Sequence, residues 1–328
     1  MAALALAAAP PAFGQPTFDL LGVDDDRAGR DVTSRLSQNT RAAPALGLIS
    51  EPARSTHKDP HRFSLLQPEA EDQEASVDEL SQVNAGGGSS AADLAKQLSN
   101  PIADLTSVPF QFNYDTGYGD DDGARVTLNI QPVVPISLDE DWMLISRTIA
   151  PVIYQEELFE GDDDDFGLGD TVQSLFFSPR DPVDGWILGA GPVLLLPTGT
   201  DPQLRSEQLG LGPTAVALRQ DGPWTYGALV NHIWGVTDSN SPDVNATFLQ
   251  PFVSYTWPTA TTLALNMEMT YDWEAEETTL PLNLMLTQVT TMGGQPVSVQ
   301  GGFRYYADSP PGGAEWGLRF AVTFLFPK

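Results

Sequence analysis

Residues 261–276, TTLALNMEMTYDWEAE, alternate two kinds of side chain over an unusually long stretch. From Leu263 onward, every second residue is large and apolar. The residues between them include Asn266, Glu268 and Asp272. A period of two is typical of a β-strand, because successive side chains point to opposite faces of the sheet. The stretch therefore predicts a long strand with an apolar face and a polar face that carries carboxylates.

Similar segments follow one another through the C-terminal two thirds of the chain, and we count twelve of them. They cover residues 110–117, 125–138, 142–155, 170–179, 186–198, 211–220, 224–236, 245–257, 261–276, 279–291, 296–308 and 315–328. The alternation is clear in several segments, whereas the third, seventh and eighth are ambiguous. Pro132, Pro192 and Pro251 lie inside segments, where proline either weakens a strand assignment or marks a bulge.

The length and number of these segments favour a membrane barrel. Many of them run for about 10 to 14 residues, longer than the usual strand of about 5–6 residues in soluble proteins. A tilted strand needs roughly 9–11 residues to cross a bilayer, and bacterial single-chain barrels have an even strand number. No apolar run reaches the roughly 18 residues of a membrane-spanning helix. We predict an all-β fold, a transmembrane antiparallel up-and-down β-barrel of about twelve strands; a soluble β-fold is the alternative.

The tryptophans and the connections support the barrel independently. All seven tryptophans lie at predicted strand ends, and up-and-down tracing puts them on two rims. One rim has Trp142, Trp186, Trp224 and Trp257, and the other has Trp234, Trp273 and Trp316. Two aromatic girdles are expected where a barrel meets the two lipid–water interfaces. With both termini in the periplasm, the longer, acidic connections face outside, as in barrels of the Gram-negative outer membrane.

Composition excludes several classes of protein. The chain has 16 basic and 44 acidic residues and a formal net charge of -28. So negative a surface repels nucleic acid, which we exclude as a partner. The absence of cysteine excludes disulfides and thiolate metal sites, and we predict neither a cofactor nor a metal centre.

The N-terminal third differs from the rest of the chain. Residues 1–14 resemble the end of a secretory signal peptide that lacks its basic stretch, which predicts a true start upstream; an alanine-rich tail is the alternative. Residues 15–100 are polar and irregular and predict a disordered tail, with a short helix across residues 91–98. Residues 101–328 are assigned to the barrel.

Several stretches of the barrel segment resemble a known family. They include NPIADLTSVPFQFNYD (100–115), GLGDTVQSLFFSP (167–179), GAGPVLLLPTGT (189–200), GPWTYGALVNHIW (222–234) and DVNATFLQPFVSYT (243–256). The family consists of bacterial outer-membrane transporters related to the meta-pathway of phenol degradation. The resemblance implies an outer-membrane location and passage of small, hydrophobic or aromatic solutes. The last residue of an outer-membrane barrel is usually aromatic, whereas in this chain Pro327 and Lys328 follow Phe326.

Charged residues on predicted inward faces are the candidate lumen site. The candidates for a constriction are Glu268, Asp272, Arg304, Arg319, Asn266 and Arg125. Arginines opposite carboxylates across a narrow lumen could select the solutes that pass. The alternative is that they are interior ion pairs that hold the wall together, since a buried charge must be paired.

Other polar groups carry weaker functional signals. His232 lies near a predicted aromatic rim, without a GxSxG motif, so an interfacial role is favoured over catalysis. The acidic runs Asp120–Asp122 and Asp162–Asp165 lie in predicted external loops. They predict solvated loops, and Ca²⁺ or Mg²⁺ held between the loops and lipid phosphates is the functional alternative.

The leading functional prediction is a channel rather than an enzyme. We expect passive uptake of small solutes, with neutral or cationic solutes preferred at the acidic mouth. A structural or surface-interaction barrel that conducts nothing is the second hypothesis, and a lipid-modifying barrel enzyme is the third.

Overall fold

The computed structural model describes residues 89–119, 122–156, 158, 164–238 and 242–328. The predicted signal-peptide remnant and the predicted tail up to residue 88 lie outside the described residues. Within the described part of the chain, no helix combines the length and the hydropathy needed to cross a bilayer.

Fifteen β-strands are present in the described residues, and neighbouring strands pair antiparallel. They are β1 (Thr106–Tyr118), β2 (Gly123–Ile130), β3 (Val133–Ser137), β4 (Trp142–Glu156), β5 (Asp165–Leu168), β6 (Thr171–Pro179), β7 (Trp186–Leu196), β8 (Gly210–Asp221), β9 (Trp224–Gly235), β10 (Asn245–Thr256), β11 (Thr261–Met267), β12 (Met269–Asp272), β13 (Glu277–Met292), β14 (Gln295–Asp308) and β15 (Trp316–Phe326). Three strands of the wall are split, into β2 and β3, β5 and β6, and β11 and β12. The wall therefore has twelve strands, and each predicted segment corresponds to one of them.

The first and last strands close the sheet into a barrel. β1 pairs with β15 from Thr106 opposite Phe326 to Thr116 opposite Trp316. Closure leaves no unpaired sheet edge, which is the condition for a sheet that contacts lipid. The predicted antiparallel barrel of about twelve strands is confirmed. We call the end where β1 begins and β15 ends the terminal rim, and the opposite end the far rim.

Proline explains two of the breaks in the wall strands. Pro132 lies between β2 and β3, where its missing N–H interrupts the ladder. Glu268 lies between β11 and β12, opposite Pro281 of β13. The Glu268 N–H donates to the Pro281 carbonyl oxygen at 3.0 Å, but Pro281 has no N–H to donate in return. Glu268 therefore projects from a point where the backbone pairing is incomplete.

Two Gly-Pro pairs face each other on adjacent strands. Pro192 of β7 lies opposite Pro213 of β8, and each follows a glycine. At this level the pairing of β8 with β9 has a gap. A Cβ atom at Gly212 would overlap the carbonyl oxygen of His232 in β9. The close approach of β8 and β9 therefore requires glycine at this position.

We expect Gly212→Ala to lower the free energy of unfolding by about 1–3 kcal/mol, because the added methyl group forces β9 to move. Urea unfolding in detergent micelles, followed by tryptophan fluorescence, measures the change. Gly301→Ala in β14 is the matched control, since a Cβ there meets nothing within 4 Å, and it should be neutral or slightly stabilising. Equal losses from the two substitutions would contradict the close approach.

The two faces of the wall differ as the alternation predicts. In β15, Leu318 is 50% exposed and Phe320 is 61% exposed, whereas Arg319 between them is 1% exposed. In β11, Leu265 is exposed and Asn266 is buried. The apolar face therefore points outwards and the polar face into the lumen on these strands, as predicted.

The lumen is not polar all the way round, and the expectation of a polar lumen is wrong for half of it. Inward side chains from β4 to β10 form one apolar cluster, which we call the apolar wall. Its members include Ile145, Ile149, Val172, Phe176, Val193, Leu195, Val216, Leu218, Leu229, Ile233 and Phe248. Strands of this half carry large apolar residues on both faces, although buried polar residues such as Arg147, Ser174 and Asn231 lie among the inward ones. The lack of contrast between their faces explains why the alternation in β4, β9 and β10 is ambiguous.

One helix, α1 (Ala91–Leu98), lies inside the barrel at the terminal rim. It begins with a capping box, in which Ser90 and Asp93 each accept a hydrogen bond from the other's backbone N–H. Its buried face packs against inward residues of the wall. The cluster contains Leu94, Ala95, Leu98, Ala103, Leu105, Ala260, Val289 and Leu325. The short helix predicted at residues 91–98 is confirmed, and the predicted division of the chain into domains stays a prediction.

Candidate functional site in the barrel lumen

An ion-pair network crosses the lumen from the junction of β11 and β12 to β14 and β15. Arg319 Nη1 donates to Glu268 Oε1 at 2.8 Å, and Arg319 Nη2 donates to Glu268 Oε2 at 2.9 Å. Arg304 Nη1 lies 3.5 Å from Glu268 Oε2. Two parallel N–H···O bonds give the strongest geometry that an arginine can make with a carboxylate. Glu268 is therefore the centre of the network.

Two residues of β1 extend this network across the closure of the barrel. Asn113 Oδ1 accepts from Arg319 Nε at 2.7 Å and from Arg304 Nη1 at 3.3 Å. Arg304 Nε lies 2.8 Å from Asp115 Oδ1, an ion-pair contact without hydrogen-bond geometry. We call Asn113, Asp115, Glu268, Arg304 and Arg319 the ion layer.

The ion layer is shielded from water. Each of its five residues is at most 5% exposed. Buried charges are stable only when they are paired, and here two guanidinium groups face two carboxylates. Of the two interpretations that the sequence leaves open, the geometry matches interior ion pairs.

Two further predicted lumen residues are buried beside the ion layer. Asn266 Oδ1 accepts from Asn283 Nδ2 at 2.7 Å. Arg125 lies nearer the far rim, where its Nε and Nη2 donate to Gln155 Oε1 at 3.1 and 2.7 Å. Both point inwards as predicted, but neither contacts Glu268 in the described structure.

Asp272, the remaining candidate for a constriction, lies apart from the ion layer. Its carboxylate accepts from the backbone N–H groups of Glu274 and Ala275 at 2.9 and 3.1 Å. These bonds belong to the turn between β12 and β13, because Asp272 is the last residue of β12. Asp272 therefore stabilises a turn at the far rim and takes no part in the ion layer.

Sequence reasoning missed Asn113 and Asp115. Both lie in β1, where Gln111, Asn113 and Asp115 alternate with Phe112 and Tyr114. The same alternation that selected Glu268 marks them as inward-facing. The alternation could have identified both residues as inward-facing, but it does not show which inward residues lie at the same depth in the lumen.

A cavity of about 80 Å³ lies between the ion layer and α1. Its lining includes Ala95 and Leu98 of α1 and inward residues of β1, β10, β11 and β13 to β15. We call this cavity the chamber. From the terminal rim inwards, the lumen thus contains α1, then the chamber, then the ion layer.

All seven tryptophans are exposed and lie at strand ends. Trp142, Trp186, Trp224 and Trp257 are at the terminal rim, and Trp234, Trp273 and Trp316 are at the far rim. Tyrosines pack edge-on against several of them, as Tyr255 does with its ring centroid 5.0 Å from those of Trp224 and Trp257. Contact of these rims with lipid stays a prediction.

His232 lies near the far rim beside aromatic side chains. Its ring centroid is 4.1 Å from that of Trp234. His232 Nδ1 lies 2.7 Å from Thr247 Oγ1, which also accepts from Trp273 Nε1 at 2.8 Å. The imidazole therefore packs and hydrogen-bonds within the aromatic far rim and is not part of the ion layer.

The predicted acidic loops lie only partly within the described residues. Asp120, Asp121 and residues 162–163 lie outside the described residues. Asp165 is described, and its Oδ2 accepts from Gln155 Nε2 at 2.8 Å. A divalent cation held by these loops stays a prediction.

The chain resembles known proteins in its fold but not in its sequence. No family model matches the chain, and no curated protein matches it by sequence. Among solved structures, the COG4313 outer membrane channel from Pseudomonas putida F1 aligns with 68% of this chain and 95% of its own, with a TM-score of 0.53 and 16% identity. The chain shares the β-barrel fold of that protein. The family suggested by the sequence resemblance stays a prediction.

Two more distant barrels also align. Outer membrane phospholipase A from Escherichia coli covers 72% of this chain and 98% of its own, with a TM-score of 0.41 and 12% identity. The beta domain of the Bordetella autotransporter BrkA covers 68% of this chain and 99% of its own, with a TM-score of 0.40 and 10% identity.

Proposed function

We propose that the protein is an outer-membrane channel for the passive passage of small neutral solutes with an apolar part. It lies in the outer membrane of a Gram-negative type of cell, with lipid against its exposed apolar face. The terminal rim faces the periplasm. The exposed outward side chains, the two tryptophan rims and the fold shared with an outer-membrane channel support this location.

The observation that carries the proposal is the two-faced lumen. One half of the closed ring presents the apolar wall. The other half, from β11 through β15 to β2, presents amides, hydroxyls and the ion layer. A solute with an apolar body gains from burial against the first half, while its polar group can hydrogen-bond to the second. The sequence resemblance implies solutes of the same class.

A non-conducting barrel is the second candidate, and a specific observation favours it. The ion layer is almost inaccessible to water, and α1 lies in the lumen at the terminal rim. A barrel whose interior is filled in this way could serve as a rigid support for its external loops.

Swelling of proteoliposomes separates the two candidates. We expect vesicles that contain the protein to swell faster in glycerol or erythritol than protein-free vesicles, and to swell more slowly in a charged solute of similar size, because the charges of the ion layer are already paired with one another. The same assay is run with Leu94→Asp, which displaces α1. If neither protein exceeds the protein-free rate, the barrel is non-conducting.

A further inference from the structure

The size of the chamber allows it to hold more than one water molecule. A buried water needs roughly 10–15 Å³ of such space. The chamber of about 80 Å³ therefore has room for roughly five to eight waters, or for one solute with about as many non-hydrogen atoms. α1 borders it on the side of the terminal rim, and Met285, which contacts Arg319 of the ion layer, borders it on the other.

The chamber has no charged lining. None of the residues that line it is Asp, Glu, Lys, Arg or His. Glu268, which accepts a hydrogen bond from Gln250 of the lining, is already paired with Arg319. An ion that entered the chamber would lose its hydration without gaining a counter-charge. The occupant is therefore neutral.

Most of the polar side chains around the chamber already have partners. The bonded pairs are Thr262 with Thr256, Gln250 with Glu268, Asn266 with Asn283, Gln300 with Thr287, and Gln111 with Asn113. The hydroxyls of Ser254, Ser298 and Thr323 have no hydrogen-bond partner among the described residues, and of the three only the Ser254 Oγ is also fully buried. A buried hydroxyl without a partner is costly, so Ser254 is the position where an occupant's own polar group would bond.

The remaining lining is apolar and lies on several sides of the chamber. It includes Leu98 of α1, Phe252 of β10, Ala264 of β11, Met285 of β13 and Ala321 of β15. Such a surface favours an occupant whose bulk is hydrocarbon. One unsatisfied hydroxyl beside an apolar surface is complementary to a small molecule with one polar group.

We propose that the chamber is a binding site for a small neutral alcohol or phenol, with its hydroxyl on Ser254 Oγ and its hydrocarbon part between Leu98, Met285 and Ala321. This inference rests on the proposed function, because it names the class of solute that the lumen holds. The chamber is then an intermediate binding site for a solute that passes through the lumen, between α1 at the terminal rim and the ion layer.

Benzyl alcohol, toluene and benzoate test the site, because they share a ring and differ in the polar group. Binding to the full chain in detergent micelles is measured by saturation-transfer NMR titration. We expect saturable binding of benzyl alcohol, weaker binding of toluene and none of benzoate. Ser254→Ala should weaken benzyl alcohol binding about two- to tenfold, the effect of losing one neutral hydrogen bond, and leave toluene binding unchanged.

Two further variants complete the test. Ala321→Leu fills the chamber and should abolish saturable binding, which also gives the baseline for partition into the micelle. Ser174→Ala removes a buried inward serine of β6 outside the chamber and should change nothing. Absence of saturable binding, or binding that neither Ser254→Ala nor Ala321→Leu alters, would overturn the proposal and leave a chamber that holds water only. Saturable binding without any solute flux would instead overturn the proposed function and keep the site.

Discussion

Replacing Glu268 with leucine is expected to lower the free energy of unfolding by about 3–5 kcal/mol, the range for removing one partner of a buried ion pair. Arg319 is 1% exposed and would lose both of its hydrogen bonds to Glu268. Arg304 would lose one of its two carboxylate contacts. Urea unfolding in detergent micelles, followed by tryptophan fluorescence, measures the loss.

Two controls show whether burial causes this loss. The double variant Glu268→Leu/Arg319→Leu should recover most of the stability, because it removes both charges and fills the space with apolar side chains. Asp104→Ala breaks the ion pair with Lys328, whose side chains are about half exposed, and should cost less than about 1 kcal/mol. If Glu268→Leu cost no more than Asp104→Ala, the ion layer would have to be hydrated.

Strand number and side-chain direction could be predicted because both depend on local sequence. Alternation of large apolar and polar residues fixes which face of a strand meets the lumen without reference to any other strand. It placed Glu268, Arg304 and Arg319 correctly on inward faces. It was ambiguous where both faces are apolar, as in β4 with Ile145 and Ile149, and so the apolar wall was not foreseen.

Depth in the lumen could not be predicted, because it depends on the register between strands. Asp115 and Arg304 are far apart in the chain, and they meet because β15 pairs with both β14 and β1. Asp272 shares the inward face of Glu268 but lies at the far rim, where a turn offers it backbone N–H groups. Facing inwards is therefore necessary for membership of the ion layer but does not ensure it.

The position of α1 could not be predicted from local sequence either. The spacing of Leu94 and Leu98 favours a helix with one apolar side. The surface that receives this side is assembled from distant strands, from Leu105 before β1, Val289 of β13 and Leu325 of β15. Sequence alone therefore predicted a helix but gave no reason to place it inside the barrel.

Displacing this helix is expected to raise the ionic conductance of the channel several-fold. Leu94 is 4% exposed in an apolar cluster, so Leu94→Asp buries an unpaired carboxylate there. Such burial costs several kcal/mol, whereas a helix that leaves the lumen hydrates the carboxylate at once. The terminal end of the lumen then opens, and single-channel recording in a planar bilayer measures the change.

Ala92→Asp is the matched control, because it adds the same charge to the first turn of α1 at a partly exposed position. A carboxylate near a helix N-terminus is stabilising, so this variant should keep α1 in place and leave the conductance of the parent unchanged. A rise in both variants would trace the effect to charge rather than to displacement of α1. Unchanged conductance with Leu94→Asp, in a protein that folds normally, would mean that the ion layer alone limits the current. The combination of Leu94→Asp with Glu268→Leu/Arg319→Leu should then raise the conductance, because it removes both α1 and the central ion pair of the ion layer from the path of the current.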